Sequence, residues 1–176
     1  KKLAKEANDG TLTWKDLNEA KWGLESTSSA AGYMYPSQWL TENFKHSIRD
    51  LKNTVTMDSY DSAMAQLASG QIDVMPEYAD ARMDDATKWT TTFGAKESIW
   101  DDTNVIGVTP AIANDGIMVS EKSKIMTADF KKALSAAIKD MAKTDEGKKV
   151  IAIYSHDGYV DSTKADYKTA IKVANS

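Results

Sequence analysis

Short apolar runs alternate with amphipathic segments along most of this chain, which is the pattern of α/β units. The runs are rich in β-branched residues or bounded by turn residues, so each predicts a short strand. The predicted strands are residues 21–25, 54–57, 72–75, 105–108 and 117–119.

Capping residues and apolar periodicity predict the helices. The clearest is a helix capped by Asp58 or Ser59, because Ala63, Met64, Leu67 and Ala68 fall on one face. The other predicted helices are 3–7, a Thr13-capped turn, one carrying Tyr33 to Leu40, a short one over 76–82, and three that begin at Thr127, Thr144, and Ser162 or Thr163. Residues 84–102 are rich in Thr, which predicts a loop. The fold class is therefore α/β with a helical C-terminal third.

Composition places the chain among globular proteins. Hydrophobic residues make up 41% and charged residues 27% of the 176 residues, values that exclude a disordered or fibrous chain. The net charge of -4 argues against a nucleic-acid partner, which would require a basic surface. The length fits one domain or one large lobe of a two-lobed protein.

Residues typical of enzymes and metal sites are scarce. The chain has no Cys, which excludes thiol catalysis, disulfides and thiolate metal sites. His46 and His156 stand far apart and outside any zinc-ligand spacing, and no phosphate-loop or nucleophile-elbow motif is present. The sequence therefore predicts a protein that is not an enzyme and that needs no metal or cofactor.

The small-residue loop from Ser26 to Gly32 is the strongest candidate for a binding site. It follows a predicted strand and precedes a helix, so its amides and hydroxyls are expected to face a bound anion. A connector with a serine cap is the alternative interpretation. Further polar junctions occur at 58–60, 75–80 and 113–116. The carboxyl ends of strands in an open α/β sheet converge on one crevice, so these junctions predict a common site.

Three motifs in this order resemble a known family. They are Ser28-Ser29-Ala30-Ala31-Gly32-Tyr33-Met34-Tyr35-Pro36, the segment from Ser59 to Val74, and Val108-Thr109-Pro110-Ala111-Ile112-Ala113-Asn114-Asp115-Gly116. The chain resembles the phosphate/phosphonate-type solute-binding proteins of ABC importers. The resemblance implies one lobe of a type II periplasmic-binding-protein fold, with most of the other lobe expected before Lys1.

The resemblance also implies which residues bind the ligand. It assigns the anion to Ser28, Ser29 and the backbone of Ala30, with Tyr60 at the next helix start. It assigns a ligand amine to Asp80 and Asp115. The implied ligand is a small phosphorus oxyanion or phosphonate, and the two acids favour one that carries an amine.

The same resemblance implies an organisation and a location. Residues 1–11 are expected to form a leading helix, residues 12–120 the ligand-binding lobe, and residues 121–176 C-terminal helices that close onto the other lobe. The implied partner is the membrane permease of an ABC transporter. The protein is expected to be exported, as a periplasmic or extracellular cell-surface lipoprotein, with its leader outside this chain.

Two other interpretations stay open. Residues 69–78 also resemble osmoprotectant and choline binders, and the 5 Trp residues would suit a quaternary ammonium ligand held by cation–π contacts. The other interpretation is a surface lipoprotein fragment that has lost transport and acts as an interaction module. In that case an exposed apolar strip on the lobe is expected to favour dimerisation.

Overall fold

The computed structural model describes residues 2–175, which form two compact units. The first unit contains residues 2–112 together with 169–175, and the second unit is Ala113–Lys168. Lys1 and Ser176, which end the predicted segments 1–11 and 121–176, lie outside the described residues. The chain thus leaves the first unit once and returns to it with its last helix.

Helices dominate both units, and the sheet is small. The elements in chain order are α1 (Lys2–Asn8), α2 (Trp14–Glu19), β1 (Trp22–Leu24), α3 (Tyr35–Phe44), β2 (Thr54–Thr56), α4 (Tyr60–Ala68), α5 (Ala81–Thr91), α6 (Ile99–Asp102), α7 (Ala128–Met141), α8 (Asp145–Ile151) and α9 (Lys168–Ala174). A π-helical turn, Ala30–Met34, leads directly into α3. The α/β class predicted from the sequence is confirmed.

Side-chain caps fix where four of the predicted helices begin. Thr13 forms a capping box with Asp16 at the start of α2. Ser59, Thr127 and Thr144 each accept a hydrogen bond from the backbone N–H three residues later, at the starts of α4, α7 and α8. Each cap satisfies an amide that would otherwise lack an acceptor. These four helix starts are confirmed.

The sheet is parallel and has β1 at its centre. Trp22, Gly23 and Leu24 pair with residues 54–56 of β2, and on the other side Trp22 forms a single parallel bridge to Val74. The strand predicted over 72–75 is therefore reduced to one bridge. Trp22 and Leu24 are buried in the main core, which packs α2 and α3 against the sheet.

The strongest departure from the sequence prediction is at α5 and α6. Residues 76–80 are not helical, and α5 begins only at Ala81. Of the segment predicted as a loop over 84–102, residues 84–91 belong to α5 and residues 99–102 form α6. The cause is tertiary burial, because Trp89 is 1% exposed and packs in a cluster with Met64 and Ile99. Burial of that indole outweighs the weak helix propensity of the Thr residues.

The predicted strands 105–108 and 117–119 are wrong. Neither segment forms a strand in the part of the chain that the structure describes, from residue 2 to 175. Val108 is 72% exposed and Met118 is 93% exposed, so neither run gains the burial that favours a strand. The polar turn predicted at 113–116 consequently does not join two strands.

The second unit contains α7, α8 and irregular segments. Gly147 of α8 lies so close to the Met141 carbonyl that a Cβ there would overlap it, and this permits the sharp turn between the two helices. The helix predicted from Ser162 or Thr163 begins later, at Lys168. The Asp166 carboxylate accepts from the Thr163 N–H at 2.6 Å and holds residues 163–166 in a turn instead.

Among residues 2–175, the structure has no helix with the length and apolar character needed to cross a membrane.

Candidate functional site

The candidate site lies at the carboxyl edge of the sheet, where three parallel segments end. Trp22 pairs with both Thr54 and Val74, so the residues that follow these positions leave the sheet on the same side. Glu25 stands three positions after Trp22, and Glu77 stands three positions after Val74. The β2 segment continues to Ser59 and α4. This edge is where the sequence predicts the polar junctions to converge.

Ser29 organises the small-residue loop. Its Oγ accepts a hydrogen bond from the Gly32 N–H at 3.1 Å and caps the π-helical turn. Its carbonyl accepts from Tyr33 at 3.2 Å and from Met34 at 2.9 Å. Ala30 is the first residue of the turn, a position whose amide has no acceptor within the helix. The turn and α3 continue without a break, so their combined N-terminus favours negative charge.

Tyr60 is brought to the same place by α4. It is the first residue of that helix, and its hydroxyl lies 3.4 Å from Ser29 Oγ. The ring of Tyr78 meets the ring of Tyr60 edge-on, with centroids 5.8 Å apart. Burial raises the pKa of the Tyr60 hydroxyl above its ordinary value, so this group stays a neutral donor. Ser29 and Tyr60 therefore form a pair of hydroxyls at the start of two helices.

Two glutamates complete this cluster, and sequence reasoning did not assign them. Among the described residues, Glu25 Oε1 and Glu77 Oε2 are buried oxygens without a hydrogen-bond partner. Both carboxylates act electrostatically on the Tyr60 hydroxyl. Glu25 and Glu77 each lie three residues after one member of the bridged pair Trp22 and Val74. Only the register of the strands reveals this relationship, so the sequence alone could not identify the two glutamates as neighbours.

Burial strongly disfavours the charge on Glu77. It raises the pKa of Glu77 to about 8, with a further increase from nearby acids and an opposing effect from the Tyr78 N–H. A buried carboxylate with an unsatisfied oxygen costs free energy unless a cation or a donor meets it. This group is chemically suited to accept a ligand ammonium.

Gly32 allows Glu25 to lie against the π-helical turn. A Cβ at position 32 would overlap Cβ and Cγ of Glu25 and would lie 3.0 Å from Ser29 Oγ. The Glu25 carboxylate acts electrostatically on the Tyr60 hydroxyl and would repel a bare anion bound there, so the site favours a ligand that brings a positive group with its negative one.

A cavity of about 190 Å³ opens beside the loop on the β2 side. Glu25, Ser26 and Thr27 form one wall, and Arg49 lies in another. The space is large enough for several water molecules or a small anion. Glu25 thus lines this cavity and also acts electrostatically on the Tyr60 hydroxyl.

Asp80 is engaged by its own helix. Its carboxylate caps α5 and accepts from the Arg82 guanidinium, with Oδ1 2.9 Å from Nε and Oδ2 2.6 Å from the terminal nitrogen. This hydrogen bonding holds the pKa of Asp80 below its usual value. Arg82 in turn lies 4.7 Å from the ring centroid of Trp100. The carboxylate of Asp80 is already neutralised by a neighbour, whereas that of Glu77 is not.

The remaining candidates lie apart from the hydroxyl pair or outside its unit. Ser28 Oγ is exposed and lies 3.1 Å from Ser26 Oγ. Asp115 belongs to the second unit, where its side chain is 83% exposed and lies 3.8 Å from Nε2 of His156. The structure therefore brings together Ser29 and Tyr60, with Ala30 beside them. The ligand contacts assigned to Ser28, Asp80 and Asp115 stay predictions.

The described part of the chain contains no group of three or more His, Asp or Glu side chains arranged to hold a metal ion. The tryptophans have protein partners of their own. Trp22 and Trp89 are buried in cores, Trp14 stacks on His46 at 4.3 Å, and Trp39 packs edge-on against Phe44. These contacts give the tryptophans structural roles.

Comparison with known families decides between the interpretations. A family model described as an ABC transporter phosphonate periplasmic substrate-binding protein matches residues 3–167. The chain belongs to this family. A search of curated proteins gives no significant match. The recognition made from the three sequence motifs is confirmed.

Membership of this phosphonate-binding family settles the coarse function. The family consists of transport proteins that bind substrate for an ABC transporter, and it is not an enzyme family. Its members are periplasmic, which implies export, and they serve a membrane permease. The lipid anchor, the dimer and the lack of a nucleic-acid partner stay predictions. The match favours a phosphonate over the quaternary ammonium ligand of osmoprotectant binders.

Proposed function

We propose that this substrate-binding protein recognises a small phosphonate that carries a primary amine. The phosphonate binds at Ser29, Tyr60 and the free amides of the π-helical turn. The ammonium binds at Glu25 and Glu77. The observation that carries the proposal is a hydroxyl pair near two carboxylates, each with one buried oxygen that has no hydrogen-bond partner within residues 2–175.

The two ends of such a ligand satisfy opposite needs of the site. Hydroxyls and amides replace the water around the phosphonate oxygens, and each charge-assisted bond contributes about 1.5–3 kcal/mol. The ammonium removes the cost of leaving Glu25 and Glu77 unpaired. A ligand with only one of these groups leaves the other half of the site unsatisfied.

Thermal shift and isothermal calorimetry with four matched ligands test this proposal. The ligands are 2-aminoethylphosphonate, ethylphosphonate, inorganic phosphate and glycine betaine. We expect 2-aminoethylphosphonate to raise the melting temperature most, by mass action on the folded state. Equal shifts from 2-aminoethylphosphonate and ethylphosphonate would remove the ammonium subsite. A shift from betaine alone would favour the osmoprotectant alternative.

The family resemblance assigns the ligand amine to Asp80 and Asp115, and this assignment competes with the one to Glu25 and Glu77. Asp80 is already paired with Arg82, and this supports Glu77 as the stronger partner for an ammonium. The competition between these acids is decided by the set of charge-removing variants described in the Discussion.

A further inference from the structure

The proposed ammonium subsite contains two acids. Glu25 and Glu77 follow neighbouring parallel segments at the same offset from Trp22 and Val74, which are directly bridged. Each has one oxygen that is buried and, among the described residues, lacks a hydrogen-bond partner. Burial of Glu77 and the negative charge of Glu25 both oppose ionisation of Glu77.

The other charged groups that act on Glu77 are also acids. Asp85 on α5 and Asp61 on α4 both raise the pKa of Glu77, as Glu25 does, and burial of Glu77 is the largest cause. Lys88 is bound to these two aspartates, 3.2 Å from Asp85 Oδ1 and 3.1 Å from Asp61 Oδ1. The lysine thus pairs with the acids around Glu77.

The neutral groups in the cluster complete the surroundings of Glu77. Tyr60 and Tyr78 meet edge-on beside it, and the Tyr78 N–H donates to Glu77 Oε1 at 3.4 Å. The Tyr78 hydroxyl donates instead to Asp84, at 2.8 Å. The single long bond from the Tyr78 amide leaves the second Glu77 oxygen unsatisfied.

We propose that Glu77 holds a proton in the ligand-free protein and releases it when an amine-bearing phosphonate binds. This inference rests on the proposed function. The proton on the Glu77 carboxyl group passes to solvent, and the ligand ammonium takes its place with its own three protons unchanged. The ligand is bound as a zwitterion, and Glu77 becomes a carboxylate.

Proton release makes recognition of the amine dependent on pH. Between about pH 5 and pH 8, each increase of one pH unit lowers the free-energy cost of removing the proton. For one linked proton, this raises the affinity for the amine-bearing ligand by up to tenfold. An amine-free phosphonate gains nothing from the ionised Glu77 and is repelled by it. The protein therefore distinguishes the two ligand classes more sharply as the pH rises towards 8.

Calorimetry in buffers of different ionisation enthalpy measures the released protons directly. At pH 7 we expect wild-type protein to release about one proton more than Glu77→Gln does on binding the same 2-aminoethylphosphonate. The comparison uses one ligand in both proteins, so the titration of the phosphonate itself cancels. Glu25→Gln should release fewer protons than wild type, because it removes a neighbouring charge.

A second measurement serves if the Glu77→Gln variant does not bind or fold. Wild-type protein labelled with ¹³C at the glutamate carboxyl carbons is titrated by NMR without ligand. We expect one carboxyl to stay protonated at pH 7 and to ionise when 2-aminoethylphosphonate is added. If all the glutamates are already ionised at pH 7 in the ligand-free protein, the inference is overturned.

The outcomes separate the inference from the proposed function. Binding of 2-aminoethylphosphonate with equal proton release in wild type and Glu77→Gln overturns the release of a proton from Glu77 and leaves the proposed function standing. Binding of ethylphosphonate but not 2-aminoethylphosphonate overturns the ammonium subsite and the inference with it. Failure of both phosphonates to bind overturns the proposed function itself.

Discussion

Glu25 lies directly against Gly32, with its Cβ and Cγ in the space that a side chain at position 32 would occupy. The contact joins the end of β1 to the π-helical turn, whose amides are proposed to bind the phosphonate. It holds a carboxylate next to the residues predicted to bind a phosphonate. Neither residue can be enlarged without moving the other.

Gly32→Ala is expected to destabilise the protein and to weaken phosphonate binding. The added methyl overlaps the part of Glu25 nearest its backbone, which cannot swing aside as a side-chain tip can. Overpacking of this kind costs about 1–3 kcal/mol. Denaturant unfolding and calorimetry with ethylphosphonate measure the two effects.

Gly158→Ala is the matched control for that variant. No atom lies within 4 Å of a Cβ built at Gly158, so its free energy of unfolding should stay within about 0.5 kcal/mol of wild type. If Gly32→Ala is equally neutral, Glu25 does not pack as closely as described.

Ser29→Ala is expected to reduce phosphonate affinity by about 10- to 100-fold, since it removes a hydroxyl donor and the cap of the π-helical turn. Thr127→Ala removes a comparable cap from α7 in the second unit, where Thr127 Oγ1 accepts from Phe130. Both variants should lose about 1 kcal/mol of stability. Only Ser29→Ala should lose affinity, and a similar loss in Thr127→Ala would show that binding merely follows stability.

Glu77→Gln is expected to make stability less sensitive to pH. The folded pKa of Glu77, about 8, lies above the ordinary value of 4.5, so the folded state holds the extra proton between these values. The contribution of Glu77 to the free energy of unfolding is fully present below pH 4.5 and is lost as the pH rises through 8.

The melting temperature of Glu77→Gln relative to wild type should therefore increase from pH 5 to pH 8.5. We expect a gain of about 2–6 °C, equivalent to about 1–2 kcal/mol after discounting for partial exposure. Lys143→Gln is the control, because Lys143 pairs with Asp140 on an exposed surface. A pH-independent difference between Glu77→Gln and wild type would place an ordinary, solvated carboxyl at position 77.

The charge-removing variants Glu77→Gln, Asp80→Asn and Asp115→Asn decide which acid binds the amine. Glu77→Gln should lower affinity for 2-aminoethylphosphonate by about tenfold or more relative to ethylphosphonate. Asp80 is already bonded to Arg82, so Asp80→Asn should weaken both ligands alike. Selective loss in Asp80→Asn or Asp115→Asn would return the amine to the residues that the family resemblance implies.

Local signals in the sequence were sufficient for much of the fold. Helix starts at Thr13, Ser59, Thr127 and Thr144 depend on a side chain and an amide three residues away, so a short window contains the cause. The same holds for the Ser29 loop, whose small residues and position after a strand identify it without the structure.

Features that depend on distant partners could not be predicted in this way. Helix α5 is stabilised by burial of Trp89 against Met64 and Ile99. Both of these partners lie outside the helix, so its own Thr-containing sequence does not reveal the burial. The run 105–108 has the composition of a strand but no neighbour to pair with among the described residues. Glu25 and Glu77 acquire their relationship only from the bridge between Trp22 and Val74.

The stacking of Arg82 over Trp100 makes this indole an optical reporter of the start of α5. Trp100 is 49% exposed, so its fluorescence responds both to solvent and to the guanidinium above it. Subtracting the emission of a Trp100→Phe variant isolates its signal from that of the other tryptophans. Changes in the pairing of Arg82 with Asp80 can then be followed in real time, without attaching a dye.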